Sequence, residues 1–215
     1  MFTPSGAIFD LDGTLFDSMW IWKKLDAEFL ARHGHIATPD YTDAIKAMGW
    51  AEGAQYTIDR YHLPLTTEEV IQMWFDMSEE YYRTKVKMKP YAKEYLLALH
   101  EAGIPLAVAT AMEPQTNIDV VLSANGLTGL FQNITVGTDV ARGKGHADIY
   151  LLAAERMGIP PSECAVYEDL LTAIRGAAKG GFQTVAIFDP ISENEWPDME
   201  KESTRAVRSW KELLD

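Results

Sequence analysis

Short runs of uncharged residues alternate with amphipathic segments along most of this chain. The runs that predict buried strands are residues 7–9, 106–109, 133–136, 164–167 and 183–187. After Tyr91 the segments between these runs place apolar residues at helical spacing, as in Ile149, Leu152 and Ala153. Because strands that alternate with helices form parallel sheets, the pattern predicts an α/β fold with a doubly wound parallel sheet and helices on both faces.

The pattern differs between residues 17 and 87, where it predicts helices and no buried strand. The predicted helices span residues 17–33, 42–48, 51–61 and 67–83. Thr66 and Glu69 have the spacing of a capping box at the start of the last one. We therefore expect an α/β core formed by residues 1–16 and 88–215, with a small all-helical unit, residues 17–87, inserted in it. The alternative is a single domain in which these are ordinary packing helices.

Two aspartates directly follow the first predicted strand. Asp10 and Asp12 are two residues apart, so in an extended backbone their side chains project to the same side. Two such carboxylates about 4 Å apart repel by roughly 4 kcal/mol at an effective dielectric of about 20. A cation would relieve this repulsion, and Mg²⁺ favours oxygen ligands. The alternative is an ordinary turn with two solvated aspartates.

Composition narrows the classes of function. The 215 residues are 47% hydrophobic, and 19 basic against 32 acidic residues give a formal net charge of −13. Such an acidic chain is a poor nucleic-acid binder. Cys164 is the only cysteine, which excludes an intrachain disulfide. With no signal segment or long apolar run predicted, we expect a cytoplasmic monomer that does not bind membranes.

Polar residues also follow later strands, at the sheet edge where Asp10 is expected. Thr110 ends the strand from Leu106, and paired acids, Glu168 and Asp169, end the strand from Cys164. Lys144 follows the third strand. Each signal alone is weak, because many strands end in threonine and most loop lysines are solvated.

Together these motifs resemble those of the haloacid dehalogenase superfamily of phosphatases and phosphomutases. Phe9-Asp10-Leu11-Asp12-Gly13-Thr14-Leu15 resembles the first motif, and Thr110 the second. The segment from Gly143 to Tyr150 resembles the third, with Gly145 and Ala147 in place of the usual prolines, and Glu168-Asp169 the fourth. The predicted helical unit is similar to the family's helical cap. The likeness is greatest to the phosphoglycolate phosphatase and β-phosphoglucomutase-like branch.

The resemblance implies phosphoryl transfer through an aspartyl-phosphate. Asp10 would be the nucleophile and Asp12 the general acid and base. Phosphate oxygens would be bound by Thr14, Thr110, the backbone amide of Ala111, and Lys144. Mg²⁺ would be held by Asp10, Asp169 and the backbone carbonyl of Asp12, with Glu168 acting directly or through a bound water. The cap would close over the site during turnover.

The expected function is hydrolysis of a small phosphorylated metabolite such as a sugar phosphate. The general acid Asp12 argues against dehalogenation. A β-phosphoglucomutase-type activity is the alternative, but residues 45–52, which resemble the mutase's substrate loop, contain Lys46 and no arginine. A non-catalytic binding module is the other alternative. The candidate substrate contacts of the helical unit, some of which could equally be core residues, are Trp20, Trp22, Lys23, Lys46 and Trp50.

Overall fold

The computed structural model describes residues 3–45 and 48–215. The chain divides into two compact units, Met1–Ser18 with Val86–Asp215, and Met19–Lys85. The first unit contains the sheet, and the second is helical. The assignment of the second unit as a cap domain stays a prediction.

The sheet of the first unit confirms the predicted fold class. Its six strands run in the order β5-β4-β1-β6-β7-β8, and all neighbouring pairs are parallel. Two further strands, β2 and β3, form a short antiparallel ribbon. The strands are β1 (Gly6–Phe9), β2 (Phe16–Asp17), β3 (Lys87–Met88), β4 (Leu106–Thr110), β5 (Asn133–Val136), β6 (Cys164–Glu168), β7 (Gln183–Ile187) and β8 (Arg205–Val207).

Helices fill the connections between these strands and form the second unit. The first helix starts at Trp20 and not at Asp17, because Asp17 pairs with Lys87 in the ribbon. The helices are α1 (Trp20–Arg32), α2 (Pro39–Ile45), α3 (Trp50–Tyr61), α4 (Thr67–Thr84), α5 (Ala92–Glu101), α6 (Gln115–Ala124), α7 (Asp148–Met157), α8 (Leu171–Lys179), α9 (Trp196–Glu202) and α10 (Lys211–Leu214).

The central strand β1 determines where the polar strand ends meet. All four of its residues are buried, as expected for a strand covered on both faces. Phe9 lies opposite Val108 of β4 and Tyr167 of β6, and the Asp10 amide donates to the Tyr167 carbonyl at 3.1 Å. The carboxyl ends of three neighbouring strands therefore lie side by side.

The segment after β7 forms more structure than the sequence pattern predicts. It contains α9, the sixth sheet strand β8, and α10. The pattern predicts only packing roles for Trp196 and Trp210, and both side chains are buried. Strand β8 has only three residues, Arg205–Val207, too few for an alternating pattern to indicate a strand.

The second unit consists of α1 to α4. Thr66 and Glu69 form the predicted capping box at the start of α4. An aromatic cluster joins three of its helices, with the rings of Trp22 and Trp50 5.6 Å apart and those of Trp50 and Trp74 6.2 Å apart. Such packing is worth more than the buried area alone.

The candidate substrate contacts of this unit stay predictions. Trp20 and Lys23 are exposed, and Trp22 and Trp50 are half-buried. Lys46 lies outside the residues that the structure describes. Across residues 3–45 and 48–215, none of the helices combines the length and the apolar character needed to cross a bilayer.

A half-buried acid on α1 gives the second unit a pH-dependent stability. Burial raises the pKa of Asp26 to about 6, from an ordinary value of 3.8. Because the folded-state pKa exceeds the unfolded one, the protonated acid is favoured in the fold. The protonated Asp26 contributes its full stabilisation below about pH 4, and this stabilisation is lost as the pH rises through about 6.

Replacement of Asp26 by Asn is therefore expected to increase the free energy of unfolding at pH 7.5 by about 1–2 kcal/mol, allowing for partial exposure. At pH 4 the two proteins should be almost equally stable. Urea denaturation between pH 4 and 8 measures this difference. Asp59→Asn, which makes the same substitution at an exposed aspartate of α3, is the matched control. A pH-independent difference for Asp26→Asn would contradict the assignment.

Candidate active site

The strand ends bring the predicted acidic residues together. Asp10 follows β1, Glu168 ends β6, and Asp169 comes next. One carboxylate oxygen from each of the three lies within 4.8 Å of the others, and all three side chains are buried. Neighbouring parallel strands in register produce this cluster, because their carboxyl ends meet at one sheet edge.

Lys144 contributes a positive charge to the cluster. Its ammonium contacts Asp10 Oδ1 and lies 2.6 Å from Glu168 Oε1, and 15% of its side chain is exposed. Burial alone would lower the pKa of this lysine, but the charges of Asp10 and Glu168 outweigh that effect and raise the pKa above its ordinary value. Lys144 is therefore a permanent cation bridging two acids.

The acids still exceed the charge that Lys144 can balance. Burial raises the pKa of Glu168 to about 7, and the charge of Asp10 adds to this rise while Lys144 opposes it. Burial, together with the charges of Asp10 and Glu168, raises the pKa of Asp169 well above its ordinary value. A further cation would stabilise the ionised forms.

Two oxygens of the cluster fit that cation. Glu168 Oε2 and Asp169 Oδ2 are buried and accept no hydrogen bond within the described part of the chain. Buried acceptors without a partner are costly, so they point to a group that completes the site. Carboxylate oxygens are the ligands that Mg²⁺ prefers, and the residues present therefore fit this metal.

Asp12 follows Asp10 by two residues, and its carboxylate has a hydrogen-bond donor in Ser18. Its carboxylate is not among the three that meet, and Oδ1 accepts a 2.6 Å hydrogen bond from the buried hydroxyl of Ser18. The loop between Asp12 and Ser18 turns at Gly13, whose φ of +79° favours glycine. Sequence reasoning missed Ser18, since a serine six residues after an aspartate is no recognisable signal. Metal binding by the Asp12 carbonyl stays a prediction.

The hydroxyls of Thr14 and Thr110 have different hydrogen-bond partners. The buried Thr14 hydroxyl donates to Asp169 Oδ1 at 2.8 Å, so its single proton orients a carboxylate and is not directed at a phosphate. The Thr110 hydroxyl accepts from the Met112 amide at 3.1 Å, which leaves its proton as a donor. Ala111, whose amide is a predicted phosphate donor, is exposed at the end of β4.

Tyr150 is a second residue that sequence reasoning did not assign to the site. It lies on α7, and its buried hydroxyl donates to Glu168 Oε1 at 2.8 Å. Glu168 is therefore held by Lys144 and Tyr150 through the same oxygen. Tyr150 is the last residue of the motif that contains Lys144, and this position in the motif could have identified it as a site residue.

The loop of Lys144 precedes helix α7. That helix starts at Asp148, so Lys144 lies four residues before its first turn. Although prolines are absent, the loop is supported by α8. The Gly145 carbonyl accepts a 3.2 Å hydrogen bond from Lys179, and a Cβ at Gly176 would lie 1.9 Å from the Lys144 carbonyl oxygen.

The close approach at Gly176 leads to a prediction. Gly176→Ala must displace either α8 or the backbone of Lys144, and a displacement near 1 Å can cost about 10²-fold in rate. We expect a fall in kcat/KM of at least about 10²-fold. Gly143→Ala is the matched control, because it lies in the same loop and the added Cβ would have no atom within 4 Å beyond its own residue and its two chain neighbours. Wild-type kcat/KM in a folded Gly176→Ala protein would show that this contact does not position Lys144.

Comparison with known proteins gives consistent matches over the chain. A family model described as haloacid dehalogenase-like hydrolase matches residues 4–181. A probable pseudouridine-5'-phosphatase of Drosophila melanogaster is 27% identical, covering 85% of this chain and 81% of the relative. Hexitol phosphatase A of Escherichia coli is 29% identical, covering 86% and 83%.

The fold of this chain also matches solved structures. The crystal structure of a putative β-phosphoglucomutase from Thermotoga maritima superposes with a TM-score of 0.83 at 23% identity, covering 97% of this chain and 96% of the other. At this identity the likeness establishes the fold alone. The family model spans most of the chain and includes every motif of the acidic cluster. This chain therefore belongs to the haloacid dehalogenase-like hydrolases.

Proposed function

We propose that the protein is a Mg²⁺-dependent phosphatase that hydrolyses a small phosphorylated metabolite through an aspartyl-phosphate on Asp10. The observation that carries the proposal is the buried cluster in which Lys144 joins Asp10 and Glu168, next to carboxylate oxygens without partners. Oxygen ligands, one fixed cation and a carboxylate at a strand end are the parts that phosphoryl transfer needs.

Asp10 is the proposed nucleophile. Its carboxylate oxygen forms a bond to phosphorus as the bond from phosphorus to the substrate's alkoxide breaks. Lys144 offsets negative charge as the carboxylate approaches the phosphate. When bound by Asp10, Asp169 and the Asp12 carbonyl, Mg²⁺ would supply further charge neutralisation at the phosphoryl oxygens.

Asp12 is the proposed proton donor and acceptor. Protonated Asp12 gives its proton to the leaving alkoxide in the first step. In the second, it takes a proton from the water that attacks phosphorus, which releases inorganic phosphate and restores Asp10. The Asp12 carboxylate accepts a hydrogen bond from the Ser18 hydroxyl and is not one of the three clustered acids, and this fits a separate role.

Other residues bind or orient. Thr110 and the Ala111 amide are the proposed donors to phosphate oxygens, together with Lys144. We assign Thr14 chiefly to the orientation of Asp169, because its hydroxyl donates to that carboxylate. Glu168 is held by Lys144 and Tyr150, and its remaining oxygen would reach the metal directly or through water.

The proposed substrate class is a sugar phosphate or a related small metabolite. Two relatives are named for such substrates, a hexitol phosphatase and a probable pseudouridine-5'-phosphatase. A net charge of −13 disfavours large polyanions at long range, whereas a single phosphate can be met by local cations.

Phosphate release from a substrate panel tests this proposal. The panel contains hexitol, hexose and nucleoside phosphates with an aryl phosphate as a generic substrate, each assayed with Mg²⁺ and with EDTA. We expect release that requires Mg²⁺ and favours one class. Release that is unaffected by EDTA, or none from any substrate, would contradict the proposal.

The same panel separates the alternatives. A β-phosphoglucomutase-type enzyme would interconvert a hexose 1-phosphate and 6-phosphate when a bisphosphate primer is added, with little free phosphate. A non-catalytic binding module would bind a phosphorylated ligand, detectable by calorimetry, without turnover.

A further inference from the structure

A C-terminal segment contacts the candidate active site. In the sequence this segment lies beyond the residues that the family model matches. That model ends at residue 181, whereas Trp210 comes directly before α10. The Trp210 side chain is 1% exposed.

Trp210 packs on the residues that precede the catalytic acids. Its ring stacks on Tyr167 with centroids 5.6 Å apart and an interplanar angle of 23°, and it lies 6.1 Å from Phe9. Phe9 directly precedes Asp10, and Tyr167 directly precedes Glu168. The indole therefore supports the last residues of β1 and the end of β6.

The polar atom of the indole contacts the catalytic loop itself. Trp210 Nε1 donates to the backbone carbonyl of Thr14 at 3.2 Å. The Thr14 hydroxyl donates in turn to Asp169 Oδ1 at 2.8 Å. Two consecutive buried hydrogen bonds thus connect the C-terminal segment to a carboxylate of the proposed metal site.

We propose that Trp210 is a positioning residue, which holds the Thr14 loop and thereby orients the Asp169 carboxylate for Mg²⁺. This inference rests on the proposed function for its effect on turnover, but its effect on metal binding can be measured without a substrate. Partners that orient metal ligands typically account for 10–100-fold in metal affinity or activity. The Asp169 orientation depends on Thr14, and the Thr14 backbone depends on the indole.

The test compares Trp210→Phe with Trp196→Phe. Both replacements keep an aromatic ring and remove an indole N–H. Trp196 is equally buried at 2% exposed, but its Nε1 has no hydrogen-bond partner in the described part of the chain, and it packs against Phe188. It is therefore a matched control for the loss of buried indole volume.

Isothermal titration with Mg²⁺ alone is the measurement. We expect Trp210→Phe to weaken Mg²⁺ binding by about 10-fold and Trp196→Phe to leave it within about 2-fold of the wild type. In a Thr14→Val background, which already lacks the hydroxyl that orients Asp169, Trp210→Phe should add little. Equal Mg²⁺ affinity in Trp210→Phe and Trp196→Phe would overturn the proposal.

A measurement on the wild-type protein covers the case in which Trp210→Phe does not fold. The indole N–H signals are followed by ¹⁵N NMR during a Mg²⁺ titration. The signal of Trp210 should shift with the midpoint of metal binding, and that of Trp196 should not. A Trp210 signal that is unchanged at saturating Mg²⁺ would overturn the proposal.

Turnover separates this inference from the proposed function. If the wild type releases phosphate, Trp210→Phe should lose more of its kcat at limiting Mg²⁺ than at saturating Mg²⁺, with little change in substrate KM. If the wild type releases no phosphate from any substrate, the proposed function fails, while the ratio of Mg²⁺ affinities still decides the role of Trp210.

Discussion

Replacement of Asp10 by Asn is expected to reduce kcat by at least about 10⁴-fold, because an amide cannot form the aspartyl-phosphate and loss of a covalent nucleophile has effects of this size. Asn is nearly isosteric, so the buried position after β1 should be kept. The measurement is Mg²⁺-dependent phosphate release with the best substrate of the panel, together with far-UV circular dichroism to show that the fold is unchanged.

Asp12→Asn is the matched variant, since it changes the other aspartate of the same motif. With an aryl phosphate, whose leaving group needs little protonation, it should still release one equivalent of the phenol rapidly and then react slowly, because the second step lacks its base. Asp10→Asn should show no such burst. Substantial turnover by Asp10→Asn would exclude Asp10 as the nucleophile.

Replacement of Lys144 by Met is expected to reduce kcat/KM by about 10³-fold or more. The substitution keeps the length of the side chain but leaves Asp10 and Glu168 without the cation that bridges them, and an unpaired buried charge is costly. The same electrostatic loss applies to the phosphate in the transition state. Steady-state kinetics across a range of Mg²⁺ concentrations provides the measurement.

Two controls define the role of Lys144. Lys201→Met removes an exposed lysine on α9 and should leave kcat/KM unchanged. Lys144→Arg retains the charge, but the planar guanidinium does not reproduce the position of a compact ammonium, so it should recover only part of the activity. Wild-type kinetics in Lys144→Met would show that the buried ion pair serves the fold and not catalysis.

The sheet and the meeting of the acidic motifs could be predicted because both follow from local patterns. Uncharged runs identify the buried strands, and parallel strands must bring their carboxyl ends to one edge. Asp10 and Glu168 each follow such a run directly, and Asp169 comes next to Glu168, so their clustering needs no knowledge of distant contacts.

The residues that orient the site could not be predicted in the same way. Trp210 and Thr14 are 196 positions apart, and the packing of Gly176 against Lys144 depends on how α8 lies on the loop. Neither contact has a periodic or spacing signature, and a tryptophan near the end of a chain or a glycine in a helix has many explanations. Tertiary packing alone determines these positions.

The central claim is that the phosphoryl group passes through Asp10. Its most direct test is mass-spectrometric mapping of the phosphorylated residue after rapid acid quenching of Asp12→Asn with an aryl phosphate and Mg²⁺. The account predicts one phosphoryl group on the peptide that contains Asp10, at Asp10 itself, and none in the Asp10→Asn, Asp12→Asn double variant. The account would be contradicted by a phosphoryl group on another residue. It would also be contradicted if no phosphorylated peptide were found while the wild type turns over the same substrate.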